Sequence, residues 1–191
     1  MAGRSSISSY FRRRIGEKEA WELISWSGMS LIIRSSAIHA AGCYTMAPIR
    51  KGARVVEYTG PRISKDDADV KYEHSPTTYL FGVGDGTTVI DGHGTAMFIN
   101  HSCDPNCETE EQAGRVWIVA IRNIAAGEEL TYDYYLYDGD DDEARCNCGS
   151  AHCRKSMYSP EEIRRRARAA KKKADTGKRR SGTGKRRRTT R

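Results

Sequence analysis

Short, mainly apolar runs separated by glycine recur along the first three quarters of the chain. They lie at residues 31–34, 54–58, 79–83, 87–90, 115–121 and 129–134. Runs of this length between turn residues are typical of β-strands. The amphipathic helices that a parallel βαβ sheet requires are missing between them, although the polar stretch at 66–75 has room for a helical turn. The pattern predicts a mostly β fold of small sheets.

The clearest helix signal lies near the C-terminus. Ser159 is a suitable N-cap, Pro160 suits the first helical position, and the two glutamates at 161–162 favour the positive end of the helix dipole. Arginine and alanine at 163–173 are good helix formers. From residue 175 onward the Gly, Thr, Lys and Arg composition cannot bury a core, so we expect disorder there.

Charge is divided unevenly along the 191 residues. Residues 154–191 hold 17 Lys or Arg and 3 Asp or Glu, a net charge of +14, which leaves −7 for the rest of the chain and +7 in total. The basic clusters at 171–173, 178–180 and 185–188 suit nucleic-acid phosphates and also a nuclear-import signal. The acidic stretch at 138–143 is either a solvated linker or an attraction for a basic peptide.

Several classes of protein are excluded by composition. No apolar run approaches the roughly 20 residues of a membrane-spanning helix, and the first 30 residues lack the apolar core of a secretory signal. We therefore expect no membrane partner and a reducing compartment, in which six cysteines do not build a disulfide scaffold. Cys146, Cys148 and Cys153 have a C-x-C-x4-C spacing that suits one metal ion, but tetrahedral zinc needs a fourth ligand from elsewhere.

Three motifs in one order are the most specific signal. They are Asn-His-Ser-Cys-Asp-Pro-Asn-Cys at 100–107, Gly-Glu-Glu-Leu-Thr-Tyr-Asp-Tyr at 127–134 and the cysteine group at 146–153. Each alone has an ordinary structural interpretation, as a polar turn, a turn that feeds a strand or reduced thiols. Together they resemble a SET-domain protein lysine methyltransferase with a post-SET zinc motif.

The resemblance covers about residues 30–157. Its upstream parts are Ile-His-Ala-Ala-Gly-Cys-Tyr at 38–44, Glu-Tyr-Thr-Gly at 57–60 and Tyr-Leu-Phe at 79–81. The ending Cys-Asn-Cys-Gly…Cys-Arg-Lys looks most like the trithorax/mixed-lineage-leukaemia branch. In two departures, Ala40 stands where the family usually has glycine and Pro61 where an acidic or amide residue often follows. A cysteine-rich pre-SET segment is not recognisable.

The resemblance implies a mostly β SET-domain fold with a threaded (pseudoknot) C-terminal segment, a zinc-bound post-SET motif and a basic helical or disordered tail. The implied organisation is an N-terminal leader at 1–29 with a short helix at 17–25, a SET domain at 30–137, the acidic linker and post-SET motif at 138–157, and the basic tail at 158–191. We expect a monomer or a weak dimer.

The implied activity is methyl transfer from S-adenosylmethionine to lysine. Such an in-line displacement needs a neutral amine, a dry channel and alignment, but no nucleophilic side chain. By resemblance, Tyr134 is the catalytic tyrosine and Tyr58 a second aromatic residue of the lysine channel. Tyr132 shares a strand face with Tyr134 by the two-residue period. A water on the Tyr132 hydroxyl would occupy the space of a second methyl group, so we predict mainly monomethylation.

The implied cofactor contacts come largely from the backbone of one turn, in which Gly42 permits close approach. This turn is expected at 40–44, and the implied contact residues in and next to it are His39, Ala41, Gly42, Cys43 and Tyr44. Asn100 and His101 are expected at the amino-acid and adenine portions of the cofactor, Tyr79 at its carboxylate end and Asn147 at the adenine. The resemblance assigns the fourth ligand of a structural zinc to Cys103, beside Cys146, Cys148 and Cys153. The side chains of Cys43 and Cys107 are left as small buried hydrophobic groups.

The implied substrate is a histone, in first place the H3 tail, followed by histone-like basic proteins and the enzyme's own tail. Residues 159–191 are expected to bind nucleic acid. The expected location is the nucleus and its chromatin (a host nucleus for a bacterial or viral protein), or else the bacterial cytoplasm and nucleoid. The alternative is a non-catalytic, zinc-containing chromatin adaptor, which would not bind S-adenosylmethionine.

Overall fold

The computed structural model describes residues 30–75, 77–137, 139 and 144–182, with the side chains of the C-terminal helix described as far as residue 174. The predicted leader at 1–29, its short helix, most of the acidic linker and residues 183–191 lie outside this set.

The described chain is mostly β, as predicted. The strands are β1 (Leu31–Ser35), β2 (Ala41–Thr45), β3 (Arg54–Tyr58), β4 (Arg62–Ser64), β5 (Leu80–Val83), β6 (Thr88–Asp91), β7 (Asn100–His101), β8 (Cys107–Gln112), β9 (Arg115–Ala120) and β10 (Thr131–Tyr132). The helices are α1 (Lys65–Tyr72), a short 3-10 helix (Thr95–Phe98) and α2 (Pro160–Gly182).

These strands form four small sheets. The pair β1–β2 and the three-stranded sheets β3-β9-β8 and β4-β6-β5 are antiparallel, whereas β7 and β10 pair in parallel. The core contains the fully buried side chains of Ile99, Ile118, Ile124 and Leu130. Burial of each such side chain stabilises the fold by about 1.5–3 kcal/mol. Ile99 and Leu130 directly precede β7 and β10, so the core fixes the place where these two strands meet.

The β7–β10 pair joins two of the motifs found in the sequence. Thr131 lies opposite Asn100, and Tyr132 lies opposite His101. The Asn106 side chain bridges the motifs, because its Nδ2 donates to the Glu129 carbonyl at 2.7 Å and its Oδ1 accepts from the Thr131 amide at 2.9 Å. The predicted strand at 129–134 is therefore only two residues long, and strand alternation does not extend beyond Tyr132.

Helix α1 is capped and held by specific polar contacts. The Ser64 side chain accepts a hydrogen bond from the Asp67 amide, which is a typical N-cap. At the other end, the buried Asp91 carboxylate accepts from Lys71 Nζ at 2.5 Å and from the Tyr72 hydroxyl at 2.6 Å. These bonds fix the helix against β6, and the helix begins one residue before the stretch at 66–75 where a helical turn was predicted.

Helix α2 starts where the sequence predicts and is docked at its first turn. Ser159 Oγ accepts from the Glu162 amide at 3.1 Å. The Arg166 guanidinium lies 4.0 Å from the centre of the Tyr158 ring, and both side chains donate to the Gly139 carbonyl, at 2.9 and 2.7 Å. The helix is thereby fixed to the chain that precedes it.

The prediction of disorder from residue 175 is wrong as far as residue 182, because α2 continues to Gly182. Once a capped first turn has formed, each further residue adds one backbone hydrogen bond, so extension costs little even through polar residues. In the described part of the chain, no helix is long and apolar enough to cross a membrane.

Candidate active site and cysteine cluster

A cleft of about 280 Å³ lies between residues that come from both ends of the β domain. Its walls come from 38–41, 77–79, the 3-10 helix, β7 and 145–147, together with Tyr134 and Met157. Of the residues predicted for catalysis or cofactor binding, seven line it: His39, Ala41, Tyr79, Asn100, His101, Tyr134 and Asn147. The predicted zinc ligand Cys146 borders it as well. Gly42, Cys43 and Tyr44 are not among its lining residues.

The predicted turn at 40–44 is wrong beyond residue 40, since β2 begins at Ala41 and pairs with β1. The Cys43 side chain is fully buried, and burial raises the pKa of its thiol to about 12. The Tyr44 hydroxyl donates to the Glu129 carboxylate at 2.9 Å. Ala40 remains in the turn with a φ of +30°, a conformation that glycine adopts more readily.

Asn100 presents an acceptor to the cleft. Its Nδ2 donates to the Ala41 carbonyl at 2.9 Å and to Glu129 Oε1 at 2.8 Å, which engages both of its N–H groups. Its Oδ1 has no hydrogen-bond partner in the part of the chain that the structure describes. An amide oxygen in this state suits a ligand that carries an N–H donor, such as an ammonium group.

Tyr134 is held by two hydrogen bonds in which it is the donor. Its hydroxyl donates to the Ile99 carbonyl at 3.0 Å, and its amide donates to His101 Nδ1 at 3.1 Å. Burial is the main reason that the pKa of the Tyr134 phenol lies above its usual range. The phenol therefore stays protonated near neutral pH, and it acts as a fixed dipole and not as a base.

Tyr134 also belongs to an aromatic group behind the cleft. Ring-centre distances are 4.8 Å from Tyr134 to Tyr132, 6.4 Å from Tyr132 to Phe81 and 5.2 Å from Phe81 to Tyr58. The Tyr58 hydroxyl donates to the Tyr79 carbonyl at 2.9 Å. The Tyr132 hydroxyl has no protein partner among the described residues. Strand alternation does not bring these rings together, yet Tyr132 and Tyr134 are in contact.

Burial raises the pKa values of Tyr58 and Tyr132 as well, so both phenols stay neutral. Aromatic faces and neutral hydroxyls suit an aliphatic side chain that ends in an amine, because they contact the chain and offer dipoles to its end. Of the four rings, that of Tyr134 also lines the cleft. A ligand bound in the cleft would therefore lie next to an alkyl amine that is held between the rings.

Four cysteine sulfur atoms form a compact cluster. The Sγ atoms of Cys103, Cys146, Cys148 and Cys153 all lie within 4.8 Å of one another. Cys146 Sγ is 3.7 Å from the Sγ atoms of both Cys103 and Cys153. Zinc–sulfur bonds of about 2.3 Å in a tetrahedron place sulfur atoms about 3.8 Å apart, so the spacing is compatible with zinc.

Backbone donors support this interpretation of the cluster. The amide of Arg154 points at Cys103 Sγ at 3.3 Å, that of Cys148 at Cys146 Sγ at 3.4 Å, and that of Lys155 at Cys153 Sγ at 3.4 Å. Such N–H···S contacts stabilise thiolates, the form that binds metal.

The cluster is connected to the cleft through His101. Because Nδ1 accepts from Tyr134, the ring proton of the neutral imidazole is on Nε2, which lies 3.4 Å from Cys103 Sγ. Burial lowers the pKa of His101 and favours this neutral form. One imidazole thus links the sulfur cluster to the backbone of the cleft tyrosine.

Two charged residues of the site were missed in the sequence. Arg154 forms a two-pronged ion pair with Asp133, with N–O distances of 2.7 and 2.9 Å, and fastens the cysteine segment beside Tyr134. Glu129 accepts from three side chains behind the cleft. Both residues lie inside quoted motifs, but nothing in their spacing indicates which distant donors they contact.

Comparisons with known proteins agree with this geometry. The family model described as SET domain matches residues 40–135, half of the chain. The chain therefore belongs to the SET-domain family, as the motifs predicted.

Curated relatives narrow the class. Proteins named "Histone-lysine N-methyltransferase, H3 lysine-4 specific" from Eremothecium gossypii and Saccharomyces cerevisiae are 42% identical to the chain over 133 residues. The protein of that name from Candida albicans is 40% identical over 136 residues. Each match spans 62% of this chain but only 14%, 12% and 13%, respectively, of the relative. The chain thus corresponds to a small part of these proteins.

Proposed function

We propose that the chain is an S-adenosylmethionine-dependent protein-lysine N-methyltransferase that acts on basic protein tails, with histone H3 as the preferred substrate. The observation that carries this proposal is the position of Tyr134, which borders both the cleft and the aromatic group. The names of the fungal relatives favour H3 over other basic proteins.

The cleft residues fit the proposed cofactor. S-adenosylmethionine would supply a methyl group made electrophilic by a sulfonium. The Oδ1 of Asn100, which has no partner among the described residues, suits its ammonium group, and the backbone at His39 and Ala41 suits close contact with its amino-acid portion. Tyr79 and Asn147 line the cleft on its other sides and would orient the remaining parts.

The chain's own residues would act by orientation and exclusion of water. The Tyr134 hydroxyl and the Ile99 carbonyl place oxygen atoms where weak C–H···O contacts can align a polarised methyl group. The rings of Tyr58, Phe81 and Tyr132 would surround the lysine side chain and keep bulk water out. An ammonium nitrogen has no lone pair, so the lysine must lose its proton before transfer. Because the phenols stay protonated, that proton goes to solvent and not to a tyrosine of the site.

We further propose that the four-cysteine cluster holds a structural zinc ion. Four thiolates leave no open coordination position for a substrate, so the ion would fasten residues 146–153 to Cys103 and take no part in the transfer. Through the Arg154–Asp133 pair, the same segment is fixed next to Tyr134.

The basic C-terminal segment is proposed to bind nucleic acid, and the nucleus is the proposed site of action. Residues 160–173 lie on a docked helix whose exposed basic side chains suit phosphates without sequence reading. Deletion of residues 159–191 should remove most DNA binding and its steep salt dependence, while transfer to a short peptide is kept. Equal DNA binding by the truncated protein would refute this part.

Radiolabelled methyl transfer tests the activity. The enzyme is assayed with separate histones, with bacterial DNA-binding proteins and alone, and we expect the strongest labelling on H3. Tyr134→Phe should abolish most labelling, whereas Tyr135→Phe, which changes an exposed neighbouring phenol, should not. The adaptor alternative predicts no binding of S-adenosylmethionine in calorimetry, and that result would overturn the proposal.

A further inference from the structure

Glu129 sits behind the cleft at the centre of three converging donors. Ser36 Oγ donates to its carboxylate at 2.8 Å, the Tyr44 hydroxyl at 2.9 Å and Asn100 Nδ2 at 2.8 Å. These donors come from the β1–β2 turn, β2 and β7, so the carboxylate connects three segments of chain. A carboxylate only accepts hydrogen bonds, so its contacts dictate which way its partners point.

The orientation of the Asn100 amide follows from this arrangement. In the observed orientation, both N–H groups meet acceptors, Glu129 Oε1 and the Ala41 carbonyl. A flipped amide would turn Oδ1 towards these same two oxygen atoms and lose both bonds. The negative charge makes that exchange especially unfavourable, because hydrogen bonds to charged groups are about twice as strong as neutral ones. Oδ1 is therefore kept facing the cleft.

The carboxylate itself has little freedom to move away. Its oxygen atoms are engaged by hydroxyls on one side and by the amide on the other. Gly42 leaves the space into which the carboxylate fits, because a side chain at that position would overlap Oε1. Burial is the main cause of the raised pKa of the Tyr134 phenol, and the nearby Tyr79 and Glu129 groups raise it further. The charge of Glu129 therefore acts on a tyrosine that lines the cleft.

We propose that Glu129 is a positioning residue that holds the Asn100 oxygen towards the cleft and whose negative charge favours a cationic ligand there. This inference rests on the proposed function, in which the ligand carries a sulfonium in addition to its amino-acid charges. After transfer, the product S-adenosylhomocysteine has lost that positive charge. Glu129 therefore favours the methyl donor over the demethylated product and assists product release.

Calorimetry with the full chain separates the two roles of Glu129. Glu129→Gln keeps an oxygen that can accept from Asn100 but removes the charge, so binding of S-adenosylmethionine should weaken about five- to tenfold while that of S-adenosylhomocysteine changes less than twofold. Glu129→Ala removes the acceptor as well, and both ligands should bind at least tenfold more weakly. Because the effect lies in binding, KM for the methyl donor should rise more than kcat falls.

Glu128→Gln is the matched control, since Glu128 belongs to the same turn but pairs with Arg122 at 2.7 Å on the surface. It should leave both affinities and their ratio unchanged. Thermal unfolding of each variant identifies any loss of fold. If Glu129→Gln weakens both ligands equally, or if Glu129→Ala binds like the wild type, the inference is wrong. Absence of binding to the wild-type chain would instead overturn the proposed function.

Discussion

Replacement of Gly42 by alanine tests why β2 has a glycine beside the cleft. The sequence favoured close approach of a cofactor, whereas the structure offers a different reason inside the protein. A Cβ at this position would overlap Glu129 Oε1 and lie 2.8 Å from Glu129 Cδ and 3.0 Å from Ser36 Cβ. Gly42 does not have a positive φ, so alanine would suit its backbone, and what opposes it is the overlap with Glu129 and the tighter contact with Ser36 Cβ.

The size of the effect follows from the contacts that the methyl group would disturb. Glu129 must shift, and its bonds to Ser36, Tyr44 and Asn100 cannot all survive. Overpacking a tight site costs about 1–3 kcal/mol. We therefore expect Gly42→Ala to lower the free energy of unfolding by about 2 kcal/mol and to weaken binding of S-adenosylmethionine through misplacement of the Asn100 amide.

A double-mutant cycle measures whether Glu129 is the cause. Glu129→Ala removes the nearest atoms that the new methyl group would meet and leaves Ser36 Cβ at 3.0 Å as the closest contact, so Gly42→Ala should cost much less in that background. We expect a coupling energy of at least about 1 kcal/mol from denaturant unfolding. Gly82→Ala is a suitable control, because Gly82 also lies in a strand with a permitted φ and its nearest obstacle is the Tyr137 hydroxyl at 3.3 Å. If the two effects simply add, the clearance for Glu129 does not explain the glycine.

Three further predictions concern the metal, the product and the cleft turn. Cys148→Ser should lower the zinc content from one ion per chain and reduce thermal stability. Cys107 lies outside the cluster, so Cys107→Ala should keep the ion. Full activity after verified removal of the metal by a chelator would contradict a structural zinc. Tyr132→Phe should raise di- and trimethylation by roughly 2–13-fold, from one lost hydrogen bond of about 0.5–1.5 kcal/mol, while Tyr134→Phe should slow every step. Mass spectrometry checks this, and abundant trimethyl-lysine from the wild type would refute it. Ala40→Gly should raise the free energy of unfolding by about 1 kcal/mol, because it relieves a positive φ, and calorimetric melting that shows no gain would argue against strain.

The strands that the sequence predicts correctly are those that contain apolar runs. β3 has the predicted limits, and β5, β6 and β9 differ from the predictions by one residue at an end or both. β8 was missed, because after Cys107 its side chains are polar and exposed, as suits a strand at the edge of a sheet. The hairpin that β8 forms with β9 turns at Ala113 and Gly114, which both have a positive φ. The sequence Ala-Gly does not predict such a turn, whereas Asn-Gly would.

The motifs located the site, but they did not indicate which of its side chains form hydrogen bonds and ion pairs with one another. The family resemblance named Asn100 and Tyr134, which line the cleft. It did not indicate that Glu129 orients Asn100, or that Arg154 joins Asp133, since a charged residue in a sequence has many possible partners. Such pairings depend on how β7, β10 and the cysteine segment pack together. Only the folded backbone determines them.

The docked first turn of α2 changes how a bound nucleic acid would act on substrate choice. The 23 residues of α2 form a rod about 35 Å long. A flexible coil of 23 residues would instead have an end-to-end distance of about 25–30 Å and no fixed direction. Because the Arg166–Tyr158 contact fixes the rod at its base, phosphates held along it would lie at a set distance and direction from the protein body. On a nucleoprotein substrate, acceptor lysines would then be chosen partly by their distance and direction from the phosphates that the helix holds.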